Sequence, residues 1–362
     1  MKILRNYILR ELCYPIFISV VTLTFIFLVG NVVKIADLLL NRGVDFFELM
    51  KFLALIIPQM LIFTLPTSVL TSILLVFGDF AEHNEIIAIR AHGVNPFKVM
   101  MPVIVIGLLL SIFVLILSDQ IVPRYSFLSR KTLKSLFIKD PFAYIKPGIP
   151  AELDNGYVFL AREVGQNELK NVTVYQPQEG KPTRTILAER CEVVRLEHES
   201  KIKVRLYNGT IDEPDEEDTK VFNKLDFSIY ELPLLDLENI NLIGKKTKEY
   251  SIDELVQKLR SSGLSEAKRR EYVIEIHKKI SFSFGCLVFT ILGLPIAIIT
   301  RRGNMLISFG LALMVLTIYY VFYSWAQAVS LQGLVAPHIA LWTPFVLMSA
   351  IGSVLMYKVI RV

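Results

Sequence analysis

The side chains able to do covalent or metal chemistry are few and scattered along this chain. His83, His92, His198, His277 and His338 lack the short spacings of a metal site. Gly244-Lys245-Lys246-Thr247 has the tail of a phosphate-binding loop without its upstream glycine. No serine sits in a G-x-S-x-G setting. The expected catalytic residues, bound cofactor and metal are therefore none. Of Cys13, Cys191 and Cys286, only Cys191 lies in the long polar middle of the chain. It has no partner there for a disulfide and is expected as a small buried hydrophobe.

Non-covalent chemistry is better represented. From Asp79 to Gly93, acidic residues (Asp79, Glu82, Glu85) come early and Arg90 comes late, the order that suits a helix dipole. Ile86 and Ile89 are spaced for one helical face, and Gly93 followed by Pro96 is a stop signal. The segment reads either as a coupling helix that docks in a groove of a motor subunit or as a solvated helical turn. Farther on, Ile202, Val204 and Leu206 alternate with Lys201, Lys203 and Arg205, the period of a strand with one covered face. Asn208-Gly209 reads as a turn, and the acidic run Asp212–Asp218 as a solvated loop. Short runs at Tyr157–Ala161, Val172–Tyr175, Thr185–Val193 and Val221–Tyr230 predict more strands, arranged as an antiparallel sandwich or jelly roll. Ser251-Ile252-Asp253-Glu254 is a capping box opening an amphipathic helix through Leu259. A second helix is expected from about Glu266.

These segments are held between apolar ends. Cores near Leu12–Val33, Phe52–Phe77, Val99–Leu117, Ile280–Ile299, Met305–Val329 and Ile339–Val359 reach the ~20 residues that a helix needs to cross hydrocarbon. Mean hydropathy is +0.50 and 53% of residues are hydrophobic, high for a soluble chain. The net charge of +5 forms no basic stripe, which argues against nucleic acid. Lys2, Arg5, Arg10, Arg90, Lys98, Arg301, Arg302, Lys358 and Arg361 fall on one side of these spans, against Lys34, Arg42 and Lys51 in the short loops opposite. The positive-inside rule then makes both termini cytoplasmic and exports the polar middle. The expected organisation is a membrane α-helical protein with a β ectodomain. Residues 1–118 carry three spans, 119–250 a β-jellyroll-like domain, 251–279 a helical linker and 280–362 three more spans.

Four motifs in this order carry a resemblance: Arg5-Asn6-Tyr7-Ile8-Leu9-Arg10-Glu11, Phe63-Thr64-Leu65-Pro66, Glu85 through Gly93, and Gly293-Leu294-Pro295 through Arg301-Arg302-Gly303. Together with the layout they resemble the lipopolysaccharide export permeases of the LptF/LptG family over essentially the whole chain. Lys34 and Asp37 are similar to one paralogue, the fourth and fifth spans to the other, so the paralogue stays open. The resemblance implies a multi-pass subunit of the Gram-negative inner membrane that extracts lipopolysaccharide from the outer leaflet and passes it to a periplasmic bridge protein. It implies a paralogous permease as heterodimer partner, a cytosolic ABC ATPase dimer that uses ATP and Mg, and a single-span periplasmic partner. Glu85, Ile86, Ile89, Arg90 and Gly93 would couple to the ATPase. Lys34, Arg42, Arg124, Arg130, Lys131 and Lys134 would meet lipid phosphates. Ile202, Val204 and Leu206 would line a lipid channel in the ectodomain. A ligand sensor and a lipid-modifying enzyme are the rival classes. The first lacks a cytoplasmic output domain, and the second would need a catalytic cluster near the interface.

Overall fold

The structure is a computed structural model, and it describes residues 2–42, 46–139, 145, 147–152, 157–165, 168–178, 181–196, 201–214, 222–236, 244–261, 263–301 and 304–361. The chain divides into two compact units. One, helical, comprises Met1–Asn31, Leu53–Phe127 and Lys245–Val362. The other comprises Val32–Phe52 and Leu128–Gly244 and carries the strands.

In chain order the helices are α1 (Lys2–Arg42), α2 (Phe46–Glu82), α3 (Glu85–Ala91), α4 (Pro96–Ile116), α5 (Val122–Lys139), α6 (Ile252–Arg260), α7 (Glu266–Ser283), α8 (Gly285–Thr300), α9 (Met305–Leu331), α10 (Pro337–Ala340) and α11 (Thr343–Arg361). A π-helical turn, Leu117–Ile121, joins α4 to α5. Among the described residues, six stretches are long and apolar enough to cross a membrane: Lys2–Asn31, Met50–Glu82, Pro96–Leu133, Glu266–Thr300, Leu306–Leu331 and Pro337–Arg361. Three precede the strands in the chain and three follow them.

Among apolar helices, packing must come from small residues and polar contacts, because lipid tails are as apolar as leucine. Gly107 of α4 meets α8 so closely that a Cβ there would lie 2.4 Å from Thr290 Oγ1. At Gly352 of α11 a Cβ would lie 2.9 Å from the Ile291 carbonyl oxygen. The most apolar window of α2 is 72% buried and that of α1 only 6%, so α2 is the spine of the unit and α1 lies at its edge. Thr24 of α1 still reaches Thr64 of α2, Oγ1 to Oγ1 at 3.1 Å. The helix expected from Glu266 does run toward the fourth apolar core, but it breaks at Phe284. The Leu287 N–H near this break donates to Ser111 Oγ of α4 at 3.0 Å.

In the second unit, β1 (Ala151–Glu152), β2 (Val158–Val164), β3 (Glu168–Gln178), β4 (Lys181–Leu196), β5 (Lys201–Pro214) and β6 (Phe222–Asp236) form one antiparallel sheet in consecutive order. Strands β2 to β6 are longer than the sequence suggests because each runs through a break in its own alternation. Two exposed or half-exposed residues occur in succession at Arg162-Glu163, Lys170-Asn171, Glu189-Arg190, Tyr207-Asn208 and Ser228-Ile229. The register sets these pairs side by side across five strands. On one side of them runs the row Ala161, Val172, Ala188, Gly209, Phe227, and on the other Val164, Leu169, Cys191, Leu206, Tyr230.

The sheet is therefore creased along a transverse line, and the same face stays inward on both sides of it. Asn171 and Asn208 take left-handed backbone, φ 50° and 47°, which asparagine tolerates better than most residues. Alanine and glycine beside the line leave room for the halves to close. A Cβ on Gly209 would lie 2.5 Å from Phe227 Cζ, so the ring occupies the space that a side chain would need. Asn208-Gly209 is thus a bend inside β5 and not the hairpin turn that its composition suggests. The acidic run likewise begins within β5, where Glu213 pairs with Arg184 at 3.2 Å. Residues 215–221 lie outside the described set.

Candidate functional site

Helix α3 is punctuated at both ends. Asn84 adopts left-handed backbone, φ 58°, which ends the line of α2 and lets a new axis begin. At the other end Gly93, φ 77°, donates to Arg90 O at 2.8 Å, and Val94 donates to Ile89 O at 3.3 Å. This paired closure is a Schellman motif, and its left-handed position is where glycine has no Cβ penalty. Asn95 then caps α4 by accepting from the Phe97 N–H at 2.9 Å.

The two faces of α3 do different work. Ile86 is buried, and Ile86 and Ile89 line a small enclosed gap with Phe77, Pro96, Val99 and Met100, so they dock α3 on its own bundle. The outward apolar residue is Ile87, 47% exposed, beside the exposed Ala88 and Ala91. Glu85 is half-buried, and its Oε2 accepts from Tyr7 Oη at 3.4 Å. The Arg90 guanidinium donates to the Val359 carbonyl, satisfying a free acceptor in the last turn of α11. Just before α3, the exposed His83 ring lies 3.1 Å from the Asp79 carbonyl oxygen and 3.2 Å from its carboxylate. That hydrogen bond and the adjacent charge raise its pKa.

The six candidate phosphate-binding cations divide between the units. Arg124 is in the helical unit, whereas Lys34, Arg42, Arg130, Lys131 and Lys134 belong to the strand-bearing unit. Arg124 and Lys131 are exposed. Arg130 is half-buried, and its Nη2 donates to Gly244 O at 2.8 Å, which ties down the end of its own unit. Lys34, Arg42 and Lys134 lie on described helical backbone, but their side chains fall outside the described residues.

Val204 and Leu206 are fully buried in the inward face of the sheet, with Phe159, Val174 and Ile186. The side chain of Ile202 is not among those described. Cys191 sits in the same core, where burial pushes its thiol far up. On the outer face, Arg205 Nη2 donates to Glu231 Oε1 at 2.7 Å, and this bond holds the Glu231 carboxyl below its usual range.

One polar constellation was missed from sequence. Asp119, in the π-helical turn, accepts the Ile252 N–H at 2.6 Å, while Ser251 Oγ accepts from Glu254 N at 3.2 Å. Two free amides at the start of α6 are thus satisfied. Burial alone would raise the Glu254 carboxyl, but hydrogen bonds from Lys245 Nζ and the Ser251 N–H hold it low. Lys279 Nζ, on α7, lies 4.0 Å from Asp119 Oδ1 and donates to Tyr250 O at 2.5 Å. This clasp draws residues 119–127 and 245–250 into the helical unit, so in this part of the chain the strand-bearing unit runs only from Leu128 to Gly244. No sequence signal links positions this far apart. Among the described residues, no three His, Cys, Asp or Glu side chains converge to hold a metal.

Comparison with known proteins matches residues 6–358 to the family described as lipopolysaccharide export system permease LptF/LptG. The chain is also similar to the lipopolysaccharide export system permease protein LptG of Haemophilus influenzae, 23% identical over 175 residues. That alignment covers 48% of this chain and 48% of the relative, so the chain spans about half the length of the curated relative it matches.

Proposed function

Because the chain belongs to the lipopolysaccharide export permease family LptF/LptG, we propose that it is the membrane permease subunit of an ATP-driven exporter that moves lipopolysaccharide from the outer leaflet of the inner membrane to a periplasmic bridge. The observation that carries this is the match over residues 6–358, which takes in the apolar helices, the β unit and α3 together. Both termini and α3 face the cytoplasm in this reading, and the sheet faces the periplasm. The creased sheet supports a jelly-roll-like interior, since one meander folded on itself provides two facing walls. Its partners are a paralogous permease, a cytosolic ABC ATPase dimer that binds ATP and Mg, and a single-span periplasmic protein.

Helix α3 is the contact to the ATPase. Its inner residues Ile86 and Ile89 anchor it, Gly93 and Arg90 fix its ends, and the surface around Glu85 and Ile87 is left for the partner. The test is to purify the complex at native expression and identify its subunits. Ile87→Glu should cut ATPase recovery at least about tenfold, because a charge then enters an apolar contact. Glu85→Lys should weaken recovery or uncouple hydrolysis from lipid release. Both should leave the thermal unfolding of the permease unchanged. Full ATPase recovery and transport in both variants would remove α3 from the coupling interface.

Lys34 is the strongest candidate for lipid phosphate, since it ends the first apolar stretch, where a cation is costly in hydrocarbon and favourable opposite an anion. Lys34→Glu should reduce copurifying lipopolysaccharide while assembly persists, and Lys34→Arg should be milder. The loss should shrink with dephosphorylated lipid. Unchanged binding of phosphorylated lipid in Lys34→Glu would move the entry site to Arg124, Arg130, Lys131 and Lys134.

A further inference from the structure

A cavity of about 650 Å³ opens between the first turns of α1 and the start of α4. Its walls are apolar, including Ile8, Leu9, Val99, Val105 and Leu109, and its mouth carries Lys2, Arg5 and Lys98. All three cations are exposed, none has an ion pair or hydrogen bond among the described residues, and no acidic side chain lines the cavity. Two helix N-termini meet there as well, α1 at Lys2 and α4 at Pro96, and neither has an acidic residue in its first turn. The positive ends of the two helix dipoles add to the potential at the same mouth. Charge of one sign over an apolar slot is complementary to a ligand with an anionic head and hydrocarbon tails.

We propose that this cavity is a binding site for an anionic glycerophospholipid of the cytoplasmic leaflet, with its phosphate held by Lys2, Arg5 and Lys98 and an acyl chain against Val105 and Leu109. The site rests on the cytoplasmic orientation proposed above. It is separate from the route of lipopolysaccharide, which that reading puts in the opposite leaflet. A lipid here would fill the seam between α1, the least buried of the apolar helices, and the rest of the unit. Zwitterionic lipid would satisfy the slot but leave the three cations without a net counter-charge.

The test uses the full chain in its complex, in nanodiscs carrying photoactivatable phosphatidylglycerol or the phosphatidylethanolamine analogue with the same chains. Capture should map to residues 2–12 and 98–109 and should favour phosphatidylglycerol. Each cation near an anionic surface is worth about fivefold, so Arg5→Glu with Lys98→Glu should cut phosphatidylglycerol capture by about 25-fold or more. Arg5→Lys with Lys98→Arg should retain it, as should Lys358→Glu, a charge reversal on α11. Val105→Trp, which changes no charge, should lower capture of both lipids by filling the slot. Equal capture of the two lipids, unchanged capture in the double reversal, or crosslinks to a neighbouring protein helix in place of lipid would each overturn the proposal. The orientation is checked separately by labelling a cysteine at position 2 from either side. An outward-facing residue 2 would refute the topology, whereas an inward-facing one with headgroup-blind capture would refute the lipid site alone.

Discussion

Gly209→Val should unfold the β unit. A Cβ at this position would stand 2.0 Å from the Leu187 carbonyl oxygen and 3.1 Å from the Ala188 Cα, both backbone atoms of β4 that cannot turn aside. Phe227 Cζ, at 2.5 Å, blocks the remaining space. Overpacking of this kind costs roughly 3 kcal/mol, with more when backbone must move, and that is a large share of the stability of a domain of this size. The readout is Cys191. In the folded unit it is fully buried and its thiol is held protonated, so maleimide should not react with it. In Gly209→Val it should label readily without denaturant. Asn208→Gly is the companion, because it relieves left-handed backbone at φ 47° and should leave Cys191 protected. Protection of Cys191 in Gly209→Val would mean that the strands do not approach each other as described.

Asp119→Ala should destabilise the helical unit by roughly 3 kcal/mol, the lower end for removing one partner from a buried ion pair, because Asp119 itself is partly exposed. Lys279 is only 5% exposed, and Asp119 is its counter-charge at 4.0 Å. Alanine also deprives the Ile252 N–H of its 2.6 Å acceptor. Asp119→Asn keeps an acceptor oxygen and should be milder. Lys279→Met combined with Asp119→Leu should recover most of the loss, because no charge then remains in apolar surroundings. Thermal unfolding of the full chain in one detergent distinguishes the four proteins. Equal melting of Asp119→Ala and the parent would show that the pair contributes nothing.

The two predictions also mark where the sequence was legible and where it was not. Apolar length, the capping box at Ser251 and the stop at Gly93 are local signals, and each element they define is present. The β crease is a collective feature. Within one strand, Arg162-Glu163 or Lys170-Asn171 is simply an interruption of alternation, so a strand seemed to end at Ala161 and another to begin at Val172. Only the register, which sets five such interruptions in one row, turns them into a fold line. Ile86 and Ile89 were legible as apolar, but which side they face depends on Phe77, Pro96 and Met100, and no spacing encodes that. The Asp119–Lys279 clasp needs two elements brought together by the bundle before either residue has a partner.

The consecutive order of the sheet has a consequence for how the β unit is made. Each strand pairs with the one just before it, so every loop to be closed is short and little chain entropy is spent on distant contacts. A meander of this kind can add strands in the order in which they emerge from a translocation channel, without waiting for the last to place the first. If the β unit is threaded through the membrane ahead of the second half of the chain, as proposed above, that order permits folding to follow delivery. The exposed apolar face shortens with each strand that arrives, and with it the interval in which the nascent segment can aggregate.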